Sequence, residues 1–287
     1  MTDDAVRRLR AARGFVLDMD GTLAVGDHLT SRMRPLPGAV DLVNLLRTRD
    51  IPLVVFTNGT NKSSARYAAA LRAAGLPVAA REVLTPLDIV VDICRRRRHR
   101  RVMVLAAGSA AATLRQVGVE VLAAKGRPAQ VDAVVVGWFP QLRYEHLEAA
   151  CHALESGARL YSASMSPYYA TAKGRTLATS RAIAAGLRSI TGARIEVVGK
   201  PSAVAMRAAA RRVGRRPPEI AVVGDDPELE VPMARRSGAV AVAVLTGIAT
   251  EADFAAQPAA LRRDLVFPTV AEMVAVLDGH RPDESRS

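Results

Sequence analysis

Short runs of branched and aromatic residues recur along the chain, separated by longer segments whose apolar residues repeat at helical spacing. Gly14-Phe15-Val16-Leu17, Ile51-Pro52-Leu53-Val54-Val55-Phe56, Ile195-Glu196-Val197-Val198 and Ile220-Ala221-Val222-Val223 read as buried strands. A strand of a parallel sheet is covered on both faces, so it lacks polar alternation. Segments 38–49 and 202–213 carry the helical repeat. Strand alternating with helix predicts an α/β fold, a Rossmann-like doubly wound parallel sheet. The middle of the chain holds a second set of such elements, with strands at 102–105, 133–136 and 158–161 and helices at 144–156 and 179–189. The expected division is a core of residues 1–80 and 195–287, with a smaller α/β cap, 81–194, inserted between. The tail 281–287 is expected to be disordered.

Composition narrows the class. The chain has 287 residues, 49% of them hydrophobic, enough for a sizeable core. No apolar run approaches the ~18–20 residues of a membrane span, and the first residues lack the apolar segment of a secretory signal. Two cysteines, Cys94 and Cys151, exclude a disulfide scaffold and a multi-cysteine zinc module. A cytoplasmic globular protein is expected. The net charge of +12 comes almost wholly from arginine, since only Lys62, Lys125, Lys173 and Lys200 are lysines. The run Arg95-Arg96-Arg97-Arg98-His99-Arg100-Arg101 could hold phosphate backbones by charge. No aromatic residue is interleaved with it to stack bases, so it reads as a solvated helix end and nucleic acid is not an expected partner.

Four strand candidates run directly into polar residues. They continue into Asp18-Met19-Asp20-Gly21-Thr22-Leu23, Thr57-Asn58-Gly59-Thr60-Asn61, Gly199-Lys200-Pro201-Ser202 and Gly224-Asp225-Asp226. Ligands bind beyond the carboxyl ends of the strands in an open parallel sheet, so the four clusters should converge. Two carboxylates two residues apart, with a third from another strand, suit a hard divalent cation. A hydroxyl, backbone amides and a lysine suit phosphoryl oxygens, and a carboxylate facing the phosphorus is a candidate nucleophile. Singly, Asp-x-Asp-Gly and Thr-Asn-Gly are ordinary turn signals. Gly199-Lys200-Pro201 is not a Walker A loop, because Pro201 stands where Ser or Thr is needed. The order of the four, each after an apolar strand, carries the chemistry.

With these residues in place, the chain resembles the haloacid dehalogenase superfamily of phosphohydrolases. Within it, the resemblance is to subgroup IIA, which includes p-nitrophenyl phosphatase and phosphoglycolate phosphatase relatives and carries a large α/β cap between the second and third motifs. Asp18 to Leu23 matches the first motif residue for residue, Thr57-Asn58-Gly59 the second, Gly199-Lys200-Pro201-Ser202 the third, and Gly224-Asp225 opens the fourth. Val131-Asp132-Ala133-Val134-Val135-Val136-Gly137 is similar to the start of a cap strand in that subgroup. The resemblance implies that Asp18 is the nucleophile and a Mg2+ ligand. It makes Asp20 the general acid and then base, with its backbone carbonyl on the metal. Thr57, Asn58 and Gly59 would hold the phosphate, Lys200 would stabilise nucleophile and phosphoryl oxygens, and Asp225 would bind Mg2+. The implied substrate is a small phosphorylated metabolite; whether the chain forms a homodimer stays open.

Two departures from the family pattern matter. The fourth motif usually places Thr-Asp where this chain has Leu229-Glu230. Glu230 could reach the metal shell, Asp226 could compensate, or both could be solvated at a helix amino terminus. In the cap, Ser162-Ala163-Ser164-Met165-Ser166-Pro167-Tyr168-Tyr169 stands where relatives carry Thr-Asn-x-Asp, and Ala178-Thr179-Ser180 replaces a glycine-containing loop. The Ser/Tyr segment could face a hydroxylated or ring-bearing leaving group, or simply pack. The histidines, His28, His99, His146, His152 and His280, form no triad, and there is no Gly-x-Ser-x-Gly elbow. A phosphatase is therefore expected. The alternatives are a phosphotransferase or mutase using the same aspartyl-phosphate, or a catalytically impaired phosphate-binding protein.

Overall fold

The buried runs form strands as the pattern predicts, and they sort into two parallel sheets. The computed structural model describes residues 2–26, 33–171 and 174–279. His28, His280 and the tail 281–287 lie outside the described residues. In chain order the strands are β1 (Gly14–Leu17), β2 (Ala24–Gly26), β3 (Met33–Pro35), β4 (Leu53–Phe56) and β5 (Val83–Leu84). Then come β6 (Arg101–Leu105), β7 (Glu120–Leu122), β8 (Ala133–Val136), β9 (Arg159–Ser162), β10 (Tyr168–Thr171), β11 (Gly174–Leu177) and β12 (Ile195–Val197). The last are β13 (Ile220–Gly224), β14 (Val240–Val244) and β15 (Leu265–Phe267).

The larger sheet runs β15-β14-β13-β1-β4-β5 and the second β12-β9-β8-β6-β7, every neighbouring pair being parallel. Alternate residues of the central strands supply both faces. Leu17, Val55 and Val223 enter one core layer, while Val16, Val54 and Val222 enter the other. That two-sided burial explains the uninterrupted apolar runs. From β1 the chain winds outward to β4 and β5, and from β13 it winds the other way to β14 and β15. The β1/β13 boundary is therefore the topological switch point, where a crevice opens beyond the strand ends.

Three features differ from expectation. The strand at 195–197, expected in the core, pairs with β9 at the edge of the second sheet. An apolar run announces burial but not its neighbour. The run 239–245 and the short segment 265–267 add two strands to the larger sheet, and β5 adds a third. The end of the Ser/Tyr segment, Tyr168-Tyr169, lies in a strand that the apolar pattern did not mark, β10, paired antiparallel with β11.

The arginine run ends the helix Pro86–Arg97, where cations favour the carbonyl end of the dipole. Several of its members are anchored, Arg96 on the Asp92 carbonyl and His99 on the Tyr161 hydroxyl among them. Arg97 donates to the Tyr161 hydroxyl at 2.6 Å and Glu196 at 3.0 Å, and Arg101 donates to Glu120 at 3.1 Å. Cys94 is buried, Cys151 is half-buried and both are free thiols. His146 accepts from the Arg143 amide and packs its ring against Phe139. Among the described residues no helix is long and apolar enough to cross a membrane.

Candidate active site

The four polar clusters meet around one cavity at the switch point. Asp18, Asp20, Thr57, Asn58, Lys200, Asp225, Asp226 and Glu230 all line it. The third cluster arrives from an unexpected direction, since β12 belongs to the second sheet. From there the chain turns at Gly199-Lys200-Pro201 into the helix Ala203–Val213, whose first turn Ser202 caps by accepting from the Ala205 amide.

Beyond β1 the chain folds into a tight turn in which Met19 O accepts from the Leu23 and Ala24 amides. Gly21 sits at φ +89°, and a Cβ there would lie 2.4 Å from Asp225 Oδ2. Only glycine meets both demands. Asp225 is gripped from the other side by the segment after β14. Ile248 N donates to Asp225 Oδ2 at 3.0 Å, and a Cβ on Gly247 would come within 1.7 Å of that oxygen.

Lys200 organises the cavity floor. Its ammonium pairs with Asp18, donates to the Phe56 carbonyl at 2.7 Å and lies 2.6 Å from Glu230 Oε1. Burial works against the charge, but Asp18 and Glu230 outweigh it and raise the Lys200 pKa above the ordinary lysine value. Thr57 Oγ1 accepts from the Gly59 amide at 3.0 Å and donates to Asp20 Oδ2 at 3.3 Å. The Asn58 side chain instead ties chain segments together. Its Oδ1 accepts from the Lys200 amide at 2.9 Å, and its Nδ2 donates to Lys200 O at 3.1 Å and Ser164 Oγ at 3.3 Å.

The acids are electrostatically uneven. Burial, reinforced by nearby Asp18, raises Asp20 to about 7. Burial raises Asp226 to about 6 and Glu230 to about 8, and it lifts Asp225 well above the usual carboxylate range with Asp18 as the next cause. Asp226 and Glu230 are buried, 7% and 1% exposed, which removes the solvated helix-end reading. Glu230 turns one oxygen to Lys200, and Oε2 accepts from the Asp226 amide at 3.3 Å. Its extra methylene spans the distance to the lysine.

A divalent cation fits this donor set. Asp18, Asp20 and Asp225 offer hard oxygens to one cavity, and the charge of Asp225 is opposed by its burial and by Asp18. Among the described residues no three His, Cys, Asp or Glu side chains are gathered closely enough to cage an ion by themselves. The donors suit a hard ion that completes its shell with water.

The Ser/Tyr segment and Ser180 reach the same cavity, whereas Lys62, Tyr67 and Trp138, which also line it, carried no signal in the sequence. Tyr169 is half-buried there, whereas Tyr168 is 38% exposed with Arg175 stacked 4.5 Å from its ring.

Comparison with known proteins identifies the family. The model of the haloacid dehalogenase-like hydrolases matches residues 15–120, and a second model of the same class, HAD-hydrolase-like, matches residues 197–273. The chain belongs to the haloacid dehalogenase-like hydrolases, and its relatives are phosphatases of subgroup IIA. It is similar to the ribonucleotide monophosphatase NagD of Escherichia coli K12, 24% identical over 91% of this chain and 98% of that protein. Mouse chronophin is 27% identical over 94% of this chain and 93% of its own length. Among solved structures, the 4-nitrophenylphosphatase of Thermotoga maritima superposes with a TM-score of 0.80 at 25% identity, covering 93% of this chain and 98% of that one.

Proposed function

We propose that this protein is a Mg2+-dependent phosphatase that hydrolyses a small-metabolite phosphomonoester through an aspartyl-phosphate on Asp18. The observation that carries the reading is the pairing of Asp18 with the buried Lys200 ammonium beside an Asp20 raised to about 7. One acid is held by a fixed positive charge while its neighbour keeps a proton to give. The named activities of the relatives, a ribonucleotide monophosphatase and a 4-nitrophenylphosphatase, support the reaction class.

The chain's own groups account for both halves of the reaction. An Asp18 carboxylate oxygen attacks phosphorus, the bond to the alcohol oxygen breaks, and Asp20 gives its proton to that oxygen. Asp20, now a carboxylate, takes a proton from water as the water oxygen attacks the phosphorus. The phosphorus–Asp18 bond then breaks, releasing inorganic phosphate and restoring both acids. Lys200, together with the amides around Asn58 and Gly59, would neutralise the phosphoryl oxygens. Asp18, Asp225 and the Asp20 carbonyl would hold Mg2+, whose contribution is to offset charge on the transferring group. Phosphate release from a panel of monoesters, with Mg2+ and with chelator, tests the reading; no release from any of them contradicts it.

A further inference from the structure

The polar cluster beyond β4 runs past Thr57, Asn58 and Gly59 into Thr60 and Asn61, to which the reaction gives no part. Both are tied to the second sheet. Thr60 is 1% exposed, and its hydroxyl accepts from the Trp138 amide, just beyond β8, at 2.9 Å. The Asn61 carbonyl accepts from the amide and the hydroxyl of Ser109, beyond β6, at 3.2 and 3.3 Å. β6 and β8 are neighbours, and beyond their ends the Ala107 amide donates to Trp138 O at 2.8 Å. The ends of two adjacent strands thus rest on the segment that follows Gly59. The approach is close, since a Cβ on Gly137 would lie 2.5 Å from Thr60 Oγ1. Tyr67, itself buried, donates its hydroxyl to Asn61 Oδ1 and steadies the segment from the larger sheet's side.

Trp138 is half-buried and lines the cavity. Its indole N–H donates to the Tyr169 hydroxyl, and the Tyr169 phenol is pushed up by burial and next by the Asp20 charge, which sets it near that acid. Trp138 and Tyr169 therefore make one wall beside Asp20. A backbone amide cannot turn to a new acceptor without carrying its residue along, so the Thr60 hydroxyl fixes where this wall stands.

We propose that Thr60 is a positioning residue: through the Trp138 amide it holds the Trp138–Tyr169 wall in register with Asp20, so that the leaving oxygen meets its proton donor. The proposal rests on the phosphatase reading, because it takes Asp20 as that donor. Thr60 itself touches neither the phosphoryl group nor the proton. Its effect therefore falls on the chemical step and not on the hold of Thr57, Asn58, Gly59 and Lys200 on phosphate.

Thr60→Val keeps the volume and removes the acceptor. It should lower kcat for glycerol phosphate about ten- to a hundredfold, the cost of a misplaced reacting group. Inhibition by inorganic phosphate should change by less than about threefold. Thr60→Ser keeps the acceptor and should restore kcat to within about threefold. Trp138 is the sole tryptophan, so its emission reads the wall without turnover. Emission should move to longer wavelength and be quenched more by acrylamide in Thr60→Val, and do neither in Thr60→Ser. Trp138→Phe keeps the amide but loses the tie to Tyr169, and should separate kcat from phosphate inhibition in the same way. Should Thr60→Val fail to fold, this variant carries the kinetic test. Unchanged kcat or emission in Thr60→Val, equal losses of kcat and phosphate inhibition, failure of serine to restore kcat, or unchanged kcat in Trp138→Phe overturns the proposal. Absence of phosphate release by the unaltered protein fails the phosphatase reading by itself, and the emission of Trp138 still decides whether Thr60 holds the wall.

Discussion

Lys200 Nζ lies 2.6 Å from Glu230 Oε1 while it also pairs with Asp18, so one buried ammonium joins two buried carboxylates from different strand ends. Glu230 therefore acts on the lysine. Glu230→Gln keeps the shape but cannot ionise, so kcat should fall about tenfold above about pH 8, where Glu230 carries its charge, the value of one charge-assisted hydrogen bond, and little below it. The magnesium concentration for half-maximal activity should stay the same. A shifted magnesium requirement with unchanged saturated turnover would return Glu230 to the metal shell.

Asp20 is raised to about 7, first by burial and then by Asp18. Proton donation matters for an alkoxide leaving group and little for nitrophenolate. Asp20→Asn should therefore slow alkyl phosphates far more than nitrophenyl phosphate. In the unaltered protein, kcat/KM for an alkyl ester should fall as pH rises through about 7, where the donor loses its proton. Equal slowing of both ester types in the variant would remove Asp20 from proton transfer.

The raised acids also set the stability of the metal-free protein. Asp226 at about 6, Asp20 at about 7 and Glu230 at about 8 hold protons in the folded state that the unfolded chain has already lost. The folded state thus binds more protons between about pH 4 and pH 8, and stability falls as pH rises across that window. In chelator, Tm should drop from about pH 5 to about pH 8, and Mg2+ should restore more of it at the upper end. A chelated Tm that rises across this range would contradict the assignment.

Gly247 leaves room for Asp225, since a Cβ there would lie 1.7 Å from Asp225 Oδ2. Gly247→Ala should push the carboxylate from its place and raise the magnesium requirement at least about tenfold, from about 1.4 kcal/mol or more of lost interaction. Magnesium titration of activity reads this directly, and an unchanged midpoint would show that Asp225 does not hold the metal.

What the sequence revealed follows from how local each signal is. Asp18-x-Asp20-Gly21 and Gly224-Asp225 are contiguous runs behind buried strands, so their convergence at the switch point could be read before any coordinates. The strand before Gly199 was legible as a strand but not as part of the second sheet, because Ile195 pairs with Leu160 through long-range contacts. The surroundings of Glu230 were illegible for the same reason, since Lys200 reaches it from thirty positions earlier in the chain. The Ile248 amide leaves no side-chain signature at all. Lys62 looked ordinary in sequence, and only folding brings it to the cavity that the four clusters share.

The central claim is that Asp18 carries the phosphoryl group. Acid quenching during turnover of a labelled phosphomonoester, followed by peptide mapping, tests it most directly. The account predicts label on the peptide containing Asp18, none in Asp18→Asn, and a fall in phosphate release by the variant of at least about a thousandfold. Near-normal phosphate release by Asp18→Asn, or label on a different residue, would contradict it.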